Sequence, residues 1–242
     1  LSLITDLSDL RAVVHASPIF YQQYLLDQRR LLGQALSATL ESNLVDAYML
    51  QSMTALAIAS REMSGRDAQQ VITRLFREYD AELRAGTGAA TVLQRCSTED
   101  LASIASFYLS VARPALCSCA TLFLQNLKGS PEPGALSERE RIRLLRALYR
   151  FQFFQELLED LDRAPRFVKG EVLGAFFAVF HPWEVEEMNC VDLLVRGLYK
   201  RIFTDAIKWR FYKRKPDNSE PAHSPPKISS SATASMTDTP LR

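Results

Sequence analysis

Four arginines set the strongest chemistry this chain can offer. Arg139, Arg143, Arg146 and Arg150 follow a four-three-four spacing, which on a helix keeps them within about a 60° stripe. A guanidinium is always charged and presents its N–H groups as a planar fork, so such a stripe can clamp a carboxylate or a phosphate in bidentate fashion. The same stripe can instead pair with acids of the chain itself, and Glu184, Glu186 and Glu187 form a suitable cluster. Arginines at a core boundary commonly serve such ion pairs. Two readings therefore stand: an anion-binding set Arg139, Arg143, Arg146 and Arg150, or an internal ladder of ion pairs.

Other groups offer less. Trp209-Arg210-Phe211-Tyr212-Lys213-Arg214-Lys215 interleaves bases with aromatics, a composition that can stack on single-stranded bases and neutralise phosphates. It equally suits a helix end whose aromatics pack while its cations face water and complement the dipole, and nuclear import machinery can read such a cluster. Cys117 and Cys119 hint at a metal clip, yet two positions along a helix turn the chain by about 200°, so they face opposite ways. With Cys96 and Cys190 they read as core thiols in a reducing compartment. His15 and His181 fall at helix ends, where a cap or dipole partner is the ordinary role. Glu156, Glu159, Asp160 and Asp162 read as a solvated acidic face. The chain has no Gly-rich phosphate loop after a strand, no nucleophile elbow and no two-histidine metal motif. The expectation is a non-enzymatic protein with no catalytic residue, no cofactor and no metal.

Composition agrees with a binding role that is local. Of 242 residues, 29 are basic and 28 acidic, so a net charge of +1 gives no field that would draw the whole chain to nucleic acid or an anionic membrane. Nucleic acid and membrane are accordingly not favoured as partners. At 47% hydrophobic residues the chain can bury a large core. No basic segment followed by a pure apolar run marks a secretory signal near Leu1, and the expected setting is intracellular, cytoplasmic or nuclear.

The elements that must position these groups are all helical. Pro and Gly are few before residue 200, and no Val/Ile/Thr alternation suggests a strand. Ser17-Pro18 breaks a first helix and starts a second that runs through Ile19, Tyr21, Leu25, Leu26 and Leu32. Asn43 caps a helix through Val45, Met49, Met53 and Leu56. Ser64 with Asp67 boxes the start of an amphipathic helix that stops at Gly86-Thr87-Gly88. Ser97 with Asp100 opens a long apolar helix, Leu101 to Leu127. Arg113-Pro114 in its middle favours a kinked core helix over a bilayer span. Beyond the connector Lys128 to Gly134, Ser137 with Glu140 launches the arginine helix. A shorter helix covers Val168 to Phe180, and the last begins Pro182-Trp183-Glu184. From Pro216 on, Pro, Ser, Thr and Ala dominate, a composition that stays disordered.

The first segment also carries a likeness. Leu3-Ile4-Thr5-Asp6-Leu7-Ser8-Asp9-Leu10-Arg11, then Val13, Val14, Ala16-Ser17-Pro18-Ile19-Phe20-Tyr21 and Tyr24, resembles the latter part of an F-box, after the Leu-Pro-x-Glu leader that normally opens one. Ala147-Leu148-Tyr149-Arg150-Phe151-Gln152 and Pro182-Trp183-Glu184-Val185-Glu186-Glu187 are similar to a group of uncharacterised fungal proteins, some with an F-box-like start. The resemblance implies an F-box-type substrate receptor whose protein partner is the adaptor subunit of a cullin-based ubiquitin ligase. Leu7, Leu10, Val14, Ile19 and Phe20 would be the partner-binding anchors, read as a helix-in-groove contact. The ordinary alternative for these five residues is packing onto the core. The expected architecture is an all-α, irregular multi-helix bundle: a partial F-box-like pair at 1–32, a helical domain at 33–215 and a disordered tail at 216–242. The alternative function is a scaffold binding an anionic partner, a phospho-group or nucleic acid, through the arginine stripe or the basic helix end.

Overall fold

A computed structural model describes residues 6–59, 63, 65–86, 88–126, 136–163 and 168–214. The expected tail 216–242, Lys215, Leu127, the connector Lys128 to Gly134, Ser64 of one capping box and Thr87 of one loop lie outside the described residues. Among the described residues every regular element is a helix, so the fold class is all-α.

Local signals set most of the boundaries. Asp6 caps α1 (Leu7–Ala16), its carboxylate accepting from the backbone N–H of Ser8 at 2.7 Å. Ser17 ends α1 in an extended conformation and caps α2 (Pro18–Leu26), whose first residue is proline. One difference from the sequence reading follows at once. The single helix expected from Pro18 to Leu32 is two, because Asp27 leaves helical geometry and α3 (Gln28–Leu40) starts anew. Glu41 then takes a positive φ of 50° and opens a short 3-10 turn, Glu41–Asn43, before α4 (Leu44–Ala59). Asn43 is no cap: its side-chain amide donates to the carbonyl of Ile142 at 3.3 Å, far along the chain.

α5 (Gly65–Ala85) ends at Gly86, whose φ of 57° is the left-handed closing conformation that glycine tolerates best. The long apolar helix expected from Leu101 is three pieces after α6 (Ala89–Arg95): α7 (Thr98–Phe107), a π-helical segment Tyr108–Ala112, and α8 (Arg113–Asn126). Pro114 has no N–H for the carbonyl one turn back, and the chain widens just before it, with Arg113 N–H bonding to Tyr108. The capping boxes Ser97/Asp100 and Ser137/Glu140 both form. The second launches α9 (Glu138–Arg163), followed by α10 (Lys169–Phe177) and α11 (Pro182–Arg214).

The passage Thr98–Leu122 is long and apolar enough to cross a membrane by length and composition, with 33% of its most apolar stretch buried. Leu101, Ile104, Tyr108, Ala112, Leu116 and Cys119 are buried at helical spacing, whereas Ser106, Ser110, Arg113, Ser118 and Thr121 are exposed. This division is that of a helix with one face in a protein core.

The chain divides by compactness into Leu1–Leu198 and Tyr199–Arg242. In the first unit α4 packs extensively on α9, and α4, α5, α9 and α10 share the core. Phe176 lies at the centre of an aromatic cluster, edge-on to Phe76 at 5.7 Å, Phe153 at 5.5 Å and Phe180 at 5.0 Å, the edge-to-face arrangement that ring quadrupoles favour. In the second unit Tyr199 and Phe203 stack one helical turn apart, both exposed.

Candidate functional site

Among the described residues, two regions of the first unit stand out against the rule that apolar groups go inside and charges outside. The first is the C-terminal half of the arginine stripe. α9 turns Leu145, Tyr149, Phe153 and Leu157 into the core, and the drift of a 3.6-residue helix carries Arg150 inward with them, to 3% exposure. Its Nε donates to Asp46 Oδ1 at 2.7 Å and its Nη1 to Glu184 Oε1 at 2.6 Å, while its guanidinium carbon sits 4.8 Å from the centre of the Phe180 ring. The Tyr79 hydroxyl donates to the same Asp46 oxygen. Glu184 also accepts from the backbone N–H of His181, so the start of α11 is fastened to the charge it meets.

The protonation states follow from these contacts. Burial opposes the Arg150 charge, but Asp46 beside it more than compensates and raises its pKa above the ordinary value. Burial, then the adjacent Asp46, push the Tyr79 hydroxyl well up, so it stays a neutral donor. Burial acts to raise the Glu184 carboxyl, yet the bonds from Arg150 and the His181 backbone hold it below its ordinary value.

The rest of the stripe is engaged in a graded way. Arg143 and Arg146 each donate to Glu187, at 2.8 Å in both cases. Arg139 is exposed near the start of α9, and Glu186 is exposed on α11. Three of the four arginines thus face acids of this chain: Glu187, Glu184 and Asp46. Asp46 and Tyr79 did not figure among the sequence candidates. The available signal for Asp46 was a lone carboxylate within the apolar run Leu44-Val45-Asp46-Ala47-Tyr48-Met49-Leu50. A cleft of about 580 Å³ opens beside Asp46, Arg146, Arg150 and Glu184.

The second region is α2. The five anchor candidates divide between two helices. Leu7, Leu10 and Val14 are 2%, 3% and 9% exposed and serve the core from α1, which leaves them no surface for a partner. Ile19 and Phe20 are 74% and 45% exposed. They belong to a nine-residue helix in which no residue is buried, and Tyr21, Leu25 and Leu26 are at least half exposed beside them. Only Gln22 and Gln23 of α2 are polar, so whichever side of this short helix meets the protein, apolar side chains are left in water. Tyr21, Leu25 and Leu26 therefore join Ile19 and Phe20 in an apolar exposure that runs around the helix. It continues into an open groove of about 930 Å³, where Leu25 and Leu26 face Ala90 and Leu93 of α6 and Gly33 of α3. Arg29 on the groove wall donates to the carbonyls of Gln94 at 3.3 Å and Cys96 at 3.1 Å.

The remaining candidates are not brought together. Cys117 is exposed and Cys119 buried on the same helix, and burial pushes the Cys96 thiol up to about 11. Among the described residues no group of three or more His, Cys, Asp or Glu side chains is placed to hold a metal ion. His15 lies in the last turn of α1, and His181 stacks on Trp183 at 4.2 Å. Lys208 to Arg214 fall within the backbone of α11. No protein-family model matches the chain, and no curated protein or solved structure does.

Proposed function

We propose that this chain is a protein-interaction module that acts by binding, with α2 as its docking element. The adaptor subunit of a cullin-based ubiquitin ligase is the partner implied by the F-box-like sequence of the N-terminal segment. One observation carries the reading: a nine-residue helix with no buried residue exposes Ile19, Phe20, Tyr21, Leu25 and Leu26 together. Such anchors suit a helix laid into an apolar groove. Apolar surface left in water on this scale is most often found at sites of interaction.

Isothermal titration of the full chain against purified adaptor tests it. The parent chain is expected to bind, and the double variant I19D/L26D to bind at least tenfold more weakly with an unchanged melting temperature. Raising the salt concentration should alter the affinity little, because the contact is apolar. No binding by the parent chain, or equal binding by the variant, would overturn the proposal. The arginine stripe supports an anionic partner less well, since Arg143, Arg146 and Arg150 already hold Glu187, Glu184 and Asp46.

A further inference from the structure

We propose that the cleft beside the buried arginine is a binding site for a small uncharged molecule that carries an N–H and a C=O side by side, as on the edge of a primary carboxamide or a lactam. Two buried polar atoms on residues of its wall have no partner: Asn43 Oδ1, an acceptor, and Arg146 Nε–H, a donor. A buried group left in that state costs stability that a matching partner would recover. Asn43 is 1% exposed, and its Nδ2 already donates to the Ile142 carbonyl, which fixes Oδ1 as the free end of its amide. Ile142, whose carbonyl holds the Asn43 amide, lies one helical turn before Arg146 on α9. The positive φ of Glu41 and the turn that follows deliver Asn43 to this position.

The charge balance excludes an ionic occupant. Arg150 lies between Asp46 and Glu184, Arg84 on the rim holds Asp80 at 2.7 Å, and Arg146 holds Glu187. An added anion or cation would enter without a counter-charge, whereas a neutral donor–acceptor edge carries the complement of each unmet atom. The volume, about 580 Å³, is that of a small-molecule site. His181 on the wall stacks flat against Trp183, itself 58% exposed, and adds a planar aromatic surface nearby. The two unmet atoms lie under the cleft surface, so a ligand reaches them only with a shift of the Arg146 side chain, which is 26% exposed.

Ligand-observed NMR and calorimetry on the full chain provide the test, with nicotinamide as the carboxamide probe, uracil as the lactam probe and nicotinate as the charged analogue of the first. Binding of nicotinamide alone, of uracil alone or of both supports the site and tells the two ligand classes apart. Nicotinate should bind at least tenfold more weakly than nicotinamide. Arg146→Lys keeps the charge opposite Glu187 but lacks Nε, and it should abolish probe binding without lowering the melting temperature. Asn43→Ser should weaken binding as well. The proposal is overturned if neither neutral probe binds, if nicotinate binds as well as nicotinamide, or if Arg146→Lys binds like the parent.

Discussion

Arg150 on α9 and Phe20 on α2 are mirror-image exceptions. The first is a charge almost wholly out of water; the second is a large ring almost half in it. Among the described residues the structure answers the first exception completely and the second only in part. Arg150 has two carboxylates and an aromatic face around it, and Tyr79 completes the set on Asp46. The apolar side chains of α2 have no comparable cover within the described residues. A buried charge that meets its partners inside the chain is part of how the chain holds itself together. An apolar surface without cover is free to meet something else.

The contrast breaks most visibly when one half of the buried pair is removed. Asp46→Ala leaves Arg150 and Tyr79 without their shared acceptor, and a loss of about 3–5 kcal/mol is expected in urea unfolding. Asp46→Leu combined with Arg150→Met and Tyr79→Phe should restore part of that loss, because the matched apolar replacements leave neither Asp46 nor Arg150 as an unpaired buried charge, while Glu184 loses Arg150 and keeps only the His181 N–H. If the single and triple variants are equally unstable, the ion pair is not the reason Asp46 matters.

Next in size is the difference between neighbouring helices. Leu10→Ala on α1 should cost about 2–5 kcal/mol, as for any fully buried leucine. Leu26→Ala on α2, 79% exposed in the parent, should change stability by no more than about 0.5 kcal/mol. Comparable losses in the two variants would show that α2 belongs to the core after all.

A smaller effect comes from acid. Glu184 has a folded-state pKa below its ordinary value, so the stability it lends is fully present above the ordinary carboxylate pKa of about 4.3 and is lost as the pH falls through the folded value. Chemical denaturation followed from neutral pH to below 4 should show Glu184→Gln losing less stability on acidification than the parent. An identical pH dependence in both would remove Glu184 from the network. The α2 variants should leave this pH profile unchanged, which keeps the two regions separate.

The parts legible in sequence were those decided within a few residues. Ser97 with Asp100 and Ser137 with Glu140 form the boxes their spacing suggests, and Ser17 and Gly86 end or begin helices for local reasons. The four-three-four arginine spacing located the face of α9 and named Glu184 and Glu187 among its possible partners. It did not reach Asp46, which lies 104 residues from Arg150 and is joined to it by packing alone. The break at Asp27 was hidden because neither Gly nor Pro marks it. Leu10 and Phe20 share one apolar pattern in sequence, and only the tertiary packing of α1 against α3 separates a core leucine from an exposed ring.

The most direct test of this account pairs two readouts on two variants: unfolding free energy and affinity for the ligase adaptor, each measured on Leu10→Ala and Leu26→Ala. The predicted result is a crossed pattern, in which Leu10→Ala loses stability while its folded fraction binds as the parent does, and Leu26→Ala keeps its stability and binds several-fold more weakly. Unaltered affinity in Leu26→Ala, or a stability loss there as large as that of Leu10→Ala, would contradict the claim that α2 is an interaction surface.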